Sequence, residues 1–419
     1  MMMTVKRAAV SLVMGCVIGL GTCGATRAVE VALPTWWWGE SAPIALLKKA
    51  TAEFEKDNPG DTIKPIKLPY EGFLDRQYSE VRAGSPADFV TLFSLDMAAY
   101  LKADLLEPLD KYVAAAGVSL DQLNSSRKYA MKDGHIYGIT LGFNPRALMI
   151  NGQMLRDAGV SIPTNVDELL DAARKLRNPA KQEFGFYSLS TPATSQETYI
   201  LTAGIIYGFG GAWFKEGKPT ANSAETIAAL KFIKQLYDEH LVPRVKETTA
   251  EQMFIDGKIA IFEVGPYLAG LAAEQNETTY KNIETATVPF PGKRTVVNPF
   301  FIAVPKAAKN KDAAGRFITT LLKPEMQKSF VEIVKTLPAV EGSIPEDFLE
   351  KNPWFQAYIE AGKQAVSAAP EGMEDYAPEI FNIIAPAIEE IIFNNEDVEQ
   401  TAMQLQSELE KFVTAKKAN

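Results

Sequence analysis

Cysteine is almost absent from this chain of 419 residues. Its two cysteines, Cys16 and Cys23, both lie near the N-terminus, in a segment that we expect to be removed. No disulfide can then form in the remaining chain, and a cysteine nucleophile is missing as well. The sequence therefore excludes a disulfide-stapled fold and thiol-based catalysis.

Histidine is also scarce. His135 and His240 lie far apart, and neither has a second histidine or cysteine at metal-ligand spacing. Because H-E-x-x-H and paired C-x-x-C motifs are missing, we expect no zinc site and no cofactor. The glycine cluster Gly208–Gly211 matches neither phosphate-binding pattern and predicts a turn.

Long hydrophobic runs are missing beyond the first residues. The basic pair Lys6-Arg7 precedes an apolar run over residues 8–20, and small residues follow as far as Ala28. This run is shorter than the about 20 residues that span a bilayer, and the layout predicts a secretory signal peptide over residues 1–28. The alternative is a lipoprotein signal, in which Cys23 becomes the lipidated first residue.

Positive charge is in deficit. The chain has 43 Lys and Arg against 52 Asp and Glu, a formal net charge of -9. Loss of residues 1–28 changes this charge to -12, because Lys6, Arg7 and Arg27 leave with the segment. An acidic surface disfavours nucleic acid and anionic lipid, so we expect neither as a partner.

Short apolar runs alternate with longer segments of helical periodicity, which is typical of an α/β protein. The length suggests two or three domains. The C-terminal segment 398–412 predicts a surface helix that docks on the core. The predicted strands are residues 29–38, 63–68, 88–93, 147–150, 259–264 and 300–304. The other predicted helices are residues 44–58, 166–176 and 224–240.

Short motifs follow one another in a characteristic order. Trp36–Gly39 ends the first predicted strand, and Asp133–Gly138 has the sequence D-G-H-I-Y-G. Ala158-Gly159-Val160 comes next, and Phe254–Ala260 precedes Gly265-Pro266-Tyr267. Their order resembles that of the extracellular solute-binding proteins of bacterial ABC importers, in particular the branch of maltose-binding and multiple-sugar-binding proteins.

The resemblance implies two α/β lobes joined by hinge strands, with a ligand cleft between them that closes around a sugar. It implies that the first lobe takes residues 29–143 and 297–335, and the second takes 144–296 and 336–419. A periplasmic protein of this kind delivers its sugar to membrane permease subunits, and we expect a monomer without enzymatic activity.

Candidate ligand-binding residues of the first lobe follow its strands. Glu40 comes directly after the tryptophan run, where a carboxylate can accept two sugar hydroxyls, although it can also be an acid at a helix N-terminus. Strand alternation divides the tryptophans between two faces, and Trp38, nearest the strand end, is the preferred candidate. Asp96 follows the third strand, where maltose-type proteins have a hydroxyl-binding aspartate, with a helix cap as its alternative role. Phe93 is more typical of the core.

Candidates in the second lobe and at the crossings come from the same resemblance. Asn144 lies at the first crossing, and nearby Arg146 can bind hydroxyls or tether a hinge. Tyr267 occupies the position of the family's stacking aromatic residue. Asn298, near the second crossing, and Phe381 complete the set.

Two other functions remain open at this point. A glycoside hydrolase needs two acids at a fixed separation, which Glu40, Asp96 and Glu263 can nominally supply, although Glu263 lies inside a predicted strand. A polyamine-binding or other cation-binding protein of the same architecture needs several acids and aromatic rings around ammonium groups.

Overall fold

The computed structural model describes residues 28–70, 72–188 and 195–417. The strands are β1 (Glu30–Thr35), β2 (Thr62–Lys67), β3 (Val90–Phe93), β4 (Met131–Lys132), β5 (His135–Ile136), β6 (Gly138–Gly142), β7 (Ala147–Asn151), β8 (Phe184–Tyr187), β9 (Phe214–Lys215), β10 (Lys218–Pro219), β11 (Ile259–Val264), β12 (Ile283–Ala286), β13 (Thr295–Val297), β14 (Phe300–Ala303) and β15 (Ala365–Ser367). The helices are α1 (Ser41–Asp57), α2 (Phe73–Arg82), α3 (Ser94–Lys102), α4 (Asp110–Ala115), α5 (Gly152–Asp157), α6 (Val166–Leu176), α7 (Ser195–Gly208), α8 (Ala224–Asp238), α9 (Glu247–Ile255), α10 (Tyr267–Gln275), α11 (Glu277–Lys281), α12 (Lys311–Leu321), α13 (Pro324–Ser329), α14 (Glu346–Lys351), α15 (Gln356–Lys363), α16 (Ala377–Phe393) and α17 (Val398–Lys417).

The predicted helices are confirmed with small shifts at their ends. In α1, Leu47, Ala50 and Phe54 are buried along one face, and Asn58 Nδ2 donates to Phe54 O at the C-terminus. Helix α6 has the predicted bounds because Asn165 caps it, with its side chain accepting a hydrogen bond from Glu168 N. Apolar spacing alone therefore predicted these helices, and the caps fix their ends.

The first predicted strand is shorter than expected, which changes the positions of the tryptophans. Strand β1 ends at Thr35, whose Oγ1 accepts a hydrogen bond from Trp37 N at 3.3 Å. Residues Trp36–Gly39 then form a 3₁₀ helix. The argument from strand alternation is therefore wrong for these residues, because a side chain on a 3₁₀ turn does not alternate between two faces.

Lobe 1 is built on strands β1, β2, β3, β6 and β14. Strand β1 pairs in parallel with β2, and β14 lies between β3 and β6, antiparallel to both. Thr91 Oγ1 donates to Pro34 O at 3.4 Å, which places β3 beside β1. Aromatic side chains fill the core, with the rings of Phe54 and Phe89 each in contact with Phe317 of α12.

Lobe 2 contains a four-stranded sheet in the order β12-β7-β11-β8. Its strands β7 and β11 are buried along their whole length because helices cover the sheet. Helix α16 packs against α7 and α17, and α17 buries Leu405 and Leu409 in the same core. The predicted docking of the C-terminal helix is confirmed. None of the helices in the described residues is long and apolar enough to cross a membrane.

The chain passes between the lobes at neighbouring points. It leaves β6 through Phe143 to enter β7, and it leaves β13 through Asn298 to enter β14. A third connection lies beside the first, since Leu337 N donates to Phe143 O at 3.3 Å. Away from these connections, Ser41 Oγ of lobe 1 donates to Glu274 Oε2 of lobe 2 at 2.6 Å. The lobes therefore face each other across a cleft bounded by these contacts.

Candidate functional site

Tyr70 shows where the two lobes come close together. As a whole residue it is 61% exposed, and loss of solvation raises the pKa of its hydroxyl to about 12. Repulsion from four carboxylates adds to this rise: Glu40 and Asp96 belong to lobe 1, and Glu247 and Glu197 belong to lobe 2. Acidic groups of both lobes therefore act electrostatically on one phenol.

A group of aromatic rings packs around Trp36 in lobe 1 and extends to Tyr70. Trp36 is 7% exposed and lies at the centre of the group. Its ring centroid is 5.5 Å from Tyr70, 4.8 Å from Phe73, 5.7 Å from Phe93 and 5.0 Å from Phe300. We call these five residues the aromatic wall. Tyr70 is the exposed member of the group, and an accessible aromatic side chain suits the C–H surface of a sugar.

The aromatic wall depends on a glycine in strand β6. A Cβ atom added to Gly142 would lie 1.9 Å from Phe300 Cε1, which is far inside a normal contact. Gly142 pairs with Phe300 across the sheet, so the ring lies directly over the glycine. The backbone of the first crossing thus leaves the space that Phe300 needs to pack against Trp36.

Glu40 lies at the edge of the aromatic wall. Its carboxylate accepts a hydrogen bond from the Trp36 side chain, which lowers its pKa, but loss of solvation in the cleft dominates and raises the pKa to about 7. The side chain still keeps exposed surface. Glu40 directly precedes α1, and its side chain forms no capping hydrogen bond there. This place also fits the alternative role, an acid at the N-terminus of a helix.

Asp96 lies in the first turn of α3, next to the crossing at Asn298. Its Oδ2 atom is shielded from solvent and has no hydrogen-bond partner. Desolvation raises the pKa of Asp96 to about 7, although a backbone hydrogen bond at Phe93 opposes the rise. At the start of the same helix, Ser94 Oγ donates to Asn298 Oδ1 at 3.0 Å. The structure therefore brings Asp96 and Asn298 to one end of α3.

On the lobe 2 side, the structure brings Asn144 and Tyr267 together over Gly265. A Cβ atom on Gly265 would lie 2.9 Å from the Tyr267 ring and 3.0 Å from Asn144 Cβ. Asn144 Oδ1 is shielded and has no hydrogen-bond partner. The motif Gly265-Pro266-Tyr267 thus needs its glycine so that the tyrosine ring can approach the first crossing.

Two acids of helix α9 accompany Tyr267. Its hydroxyl donates to Glu251 Oε1 at 2.7 Å. Burial raises the pKa of Glu251 to about 7 despite this hydrogen bond, and the charges of Glu247 and Glu40 add to the rise. Because Glu40 belongs to the opposite lobe, this repulsion acts across the cleft.

Arg146 forms its hydrogen bonds with groups of its own lobe. Its Nη2 donates to Glu247 Oε1 at 2.5 Å, and its Nη1 donates to Glu263 O at 2.8 Å. Glu263 is 1% exposed, and Ser188 Oγ donates to its Oε2. Burial raises the pKa of Glu263, while the charge of Arg146 opposes the rise. Arg146 thus ties β7 to β11 and α9 inside lobe 2.

Two of the candidates named from the sequence, Trp38 and Phe381, pack against the cores of their lobes. Trp38 is half-buried against the lobe 1 core, and its Nε1 donates to Leu33 O at 2.9 Å. Phe381 is 4% exposed, and its ring centroid lies 4.4 Å from that of Tyr199 in the lobe 2 core. The assignment of Phe381 to the ligand site is therefore corrected, because helix α16 directs this ring into a core built from isoleucines.

Sequence reasoning missed Tyr70, Glu247 and Glu251. The two glutamates are four positions apart, which places them on the same face of α9, and this spacing was a usable signal. Tyr70 follows a predicted strand but belongs to no motif. Within the described ranges, no group of three or more His, Cys, Asp or Glu residues is arranged to hold a metal ion.

Comparison with known proteins finds a family whose model matches most of this chain. A family model described as "Bacterial extracellular solute-binding protein" matches residues 39–328. A putative binding protein of Brucella abortus (strain 2308) is 22% identical over 324 residues, covering 74% of this chain and 76% of the relative.

Solved structures share the whole fold. Maltose-bound MalE3 of T. maritima has a TM-score of 0.80 at 20% identity, covering 92% of this chain and 100% of that one. A solute-binding protein of Thermotoga lettingae, bound with α-D-tagatose, has a TM-score of 0.79 at 18% identity, covering 93% and 100%. The predicted two-lobed α/β fold is confirmed.

Proposed function

The chain belongs to the bacterial extracellular solute-binding protein family, and from this premise we propose that it is the substrate-binding component of an ABC importer for a sugar. It captures the sugar between its two lobes and delivers it to permease subunits in the membrane. The observation that carries this proposal is the pairing of an aromatic wall on lobe 1 with polar groups from lobe 2 around one cleft.

The chemistry of the cleft suits a polyhydroxylated ligand. Tyr70 offers an exposed aromatic face, and two shielded acceptors, Asp96 Oδ2 and Asn144 Oδ1, have no partner in the protein. Buried acceptors without partners are unfavourable, and hydroxyl donors of a bound sugar would satisfy them. Solved structures of the same fold bound to maltose and to tagatose support this ligand class.

The proposed ligand-binding residues come from both lobes. Lobe 1 contributes Glu40, Asp96 and Tyr70, and lobe 2 contributes Tyr267 and Glu251. Asn144 and Asn298, one at each of two crossings, lie on the hinge side of the cleft, where relative motion of the lobes displaces groups least. Trp38 remains a weaker candidate, because its indole N–H is already bound to Leu33 O.

The remaining assignments follow from the family. We propose that lobe 1 comprises residues 29–143 and 297–335, and lobe 2 comprises 144–296 and 336–419. The protein acts in the periplasm as a monomer after removal of residues 1–28, which are largely outside the described residues, as is Cys23, the site of the alternative lipid anchor. It binds its sugar without hydrolysing it.

Thermal unfolding against a panel of sugars, polyols and polyamines tests the proposal. A ligand at 100 times its Kd adds about 2.7 kcal/mol to the free energy of unfolding, which raises the melting temperature. We expect stabilisation by one class of sugar, with the sugar recovered unchanged after incubation. Stabilisation by no sugar would contradict the proposal, and consumption of the sugar would indicate a glycoside hydrolase.

A further inference from the structure

We propose that one face of helix α3 is a closure latch, which holds lobe 1 against lobe 2 in the ligand-free protein through the ion pair of Lys102 with Asp375. The closure latch comprises Leu95, Ala98 and Lys102 on lobe 1 and the segment 372–376 on lobe 2. It goes beyond the proposed function, because it contains none of the proposed ligand-binding residues and concerns the arrangement of the lobes before a ligand arrives.

Helix α3 has two different faces. Met97 and Tyr100 are buried in the lobe 1 core. Leu95, Ala98 and Lys102 follow one another at spacings of three and four positions, which places them together on another face of the helix. On that face, Leu95 packs against the lobe 2 core. Helix α3 therefore belongs to lobe 1 through one face and contacts lobe 2 through the other.

The ion pair lies at the C-terminal end of α3. Lys102 Nζ is 2.5 Å from Asp375 Oδ2, and the two side chains are 67% and 43% exposed. Asp375 belongs to lobe 2, because Met373 and Ala377 on either side of it are buried in the lobe 2 core. An exposed ion pair is a modest interaction. It therefore favours contact between the lobes without preventing their separation.

The turn that presents Asp375 is held in place within lobe 2. Gly372 has a φ of +74°, and a Cβ atom on it would lie 2.6 Å from Gly217 N in the hairpin of β9 and β10. Gly217 N donates to Glu371 O at 2.9 Å, and Gly372 N donates to Glu374 Oε1 at 2.8 Å. The lobe 2 half of the closure latch is thus fixed before the lobes meet, so little order is lost when the ion pair forms.

A cavity separates α3 from this turn. It has a volume of about 280 Å³ and is lined by Ala98 on lobe 1 and by the segment 372–376 on lobe 2. The core of a folded domain contains few spaces larger than a water molecule. The lobes therefore meet here without the close packing of a common core, and this contact can separate when the cleft opens.

Helix α3 also joins the closure latch to the cleft. At its first residue, Ser94 Oγ donates to Asn298 Oδ1 at 3.0 Å, and Asp96 follows in the first turn with its Oδ2 shielded and unpaired. Lys102 lies at the other end of the same nine-residue helix. Because so short a helix moves as one unit, the closure latch holds Asp96 where it lies when the lobes are together. A ligand that selects this arrangement then binds more tightly.

Charge reversal tests the closure latch in the ligand-free protein that lacks residues 1–28. Lys102→Glu places a second negative charge opposite Asp375, and we expect the ratio of closed to open protein to fall about fivefold. Small-angle scattering should show this as a larger radius of gyration. Lys102→Met, which removes the charge without adding repulsion, should give a smaller change in the same direction. The double variant Lys102→Glu, Asp375→Lys restores the attraction and should restore the parent radius.

The matched control is Lys231→Glu. Lys231 Nζ is also 2.5 Å from its partner, Glu399 Oε1, and the two side chains are similarly exposed, at 56% and 58%. This ion pair joins α8 to α17 within lobe 2, so its reversal should leave the radius unchanged.

Salt provides a second measurement on the same proteins. The screening length falls from about 30 Å to about 3 Å between 10 mM and 1 M NaCl, so the radii of the parent and Lys102→Glu should converge. Equal radii of these two proteins at 10 mM NaCl would overturn the closure latch, as would equal expansion in Lys231→Glu or no recovery in the double variant. Because no ligand is used, the closure latch and the proposed sugar binding can fail separately.

Discussion

The two sides of the cleft are built in different ways. Lobe 1 presents the aromatic wall, with Tyr70 exposed and with Glu40 and Asp96 lacking ion pairs. Lobe 2 presents a connected polar network, in which Arg146 joins Glu247 to the backbone of β11. On lobe 1, the exposed Tyr70 and the unpaired Asp96 Oδ2 leave surface for a ligand, whereas on lobe 2 Arg146 and Glu247 are already paired with each other.

This difference predicts which residues contribute to ligand binding and which contribute to the stability of the fold. A residue whose contacts are made by the protein itself contributes to folding, and its loss leaves partners buried and unpaired. A residue whose exposed face has no protein partner contributes mainly when the ligand arrives. We therefore expect changes in the lobe 2 network to lower stability, and changes at Tyr70 to lower affinity.

The largest effect is expected from Arg146→Met. It leaves Glu247 without its partner and removes the positive charge near buried Glu263, which should lower the free energy of unfolding by about 3 kcal/mol. Urea unfolding measures this change. The control is Arg174→Met, since the exposed pair Arg174–Glu239 should contribute less than about 1 kcal/mol. Equal losses in the two variants would show that the lobe 2 network is no more than a surface feature.

The second effect is a dependence of stability on pH, to which one acid from each lobe contributes. Asp96 and Glu251 have pKa values of about 7 in the folded protein, above the ordinary carboxyl values of 3.8 and 4.5. The folded state then holds more protons than the unfolded state between these values, so ligand-free stability is highest at the acidic end and falls as pH rises towards 7. The ceiling is about 1.4 kcal/mol per pH unit for each group.

Unfolding in urea at pH 5, 6, 7 and 8 tests this sign. Asp96→Asn and Glu251→Gln should each flatten the decline, because each removes one titrating group, and the double variant should flatten it most. Exposed Glu277→Gln should follow the parent protein. A parallel decline in all variants would assign the pH dependence to other groups.

A smaller effect is expected from Tyr70→Ala. The residue is 61% exposed, so stability should change by less than about 0.5 kcal/mol, while affinity for the sugar should fall about tenfold. Calorimetric titration and urea unfolding together measure the two effects. Phe393→Ala is the control, because that aromatic side chain is also exposed, at 42%, but lies at the C-terminal end of α16 with its ring 6.1 Å from that of Tyr237. A loss of stability without loss of affinity would reverse the assignment of Tyr70.

The smallest effect concerns one of the contacts between the lobes; the ion pair of Lys102 with Asp375 is another. Ser41→Ala removes the exposed hydrogen bond to Glu274, which should contribute no more than about 1 kcal/mol. Small-angle scattering should then show a slightly larger radius of gyration for the ligand-free protein and no change with ligand bound. Thr414→Val, which removes an exposed hydrogen bond within α17, should leave both unchanged. An unchanged ligand-free radius in Ser41→Ala would mean that this contact does not favour closure.

Much of the fold could be predicted because its signals are local. The stripe of Leu47, Ala50 and Phe54 fixes α1, and the Asn165 cap fixes the start of α6. The tryptophan run was misplaced because Thr35 ends the strand with a side-chain hydrogen bond, which apolar patterning does not reveal. At this point the hydrogen bond between the Thr35 side chain and the backbone of Trp37 replaces the pairing that would have continued the strand.

The site was harder to predict because it depends on contacts distant in sequence. Asn144 and Tyr267 were named from motifs, and the close approach over Gly265 brings them together. Glu251 accepts a hydrogen bond from Tyr267, and the charge of Glu40 on the other lobe adds to the rise of its pKa. No local sequence pattern contains these interactions. Phe381 was misassigned because an aromatic residue in a strongly apolar helix fits a core as well as a cleft.

The most direct test of sugar binding between the lobes is a calorimetric titration that compares the parent protein with the double variant Tyr70→Ala, Glu251→Gln. This variant changes one residue on each side of the cleft. Binding in the cleft predicts saturable binding of one sugar per chain in the parent. The double variant should bind about a hundredfold more weakly, because the free-energy losses of two separate changes of about tenfold each add. Equal affinity in the two proteins would contradict the assignment, because the sugar would then bind elsewhere.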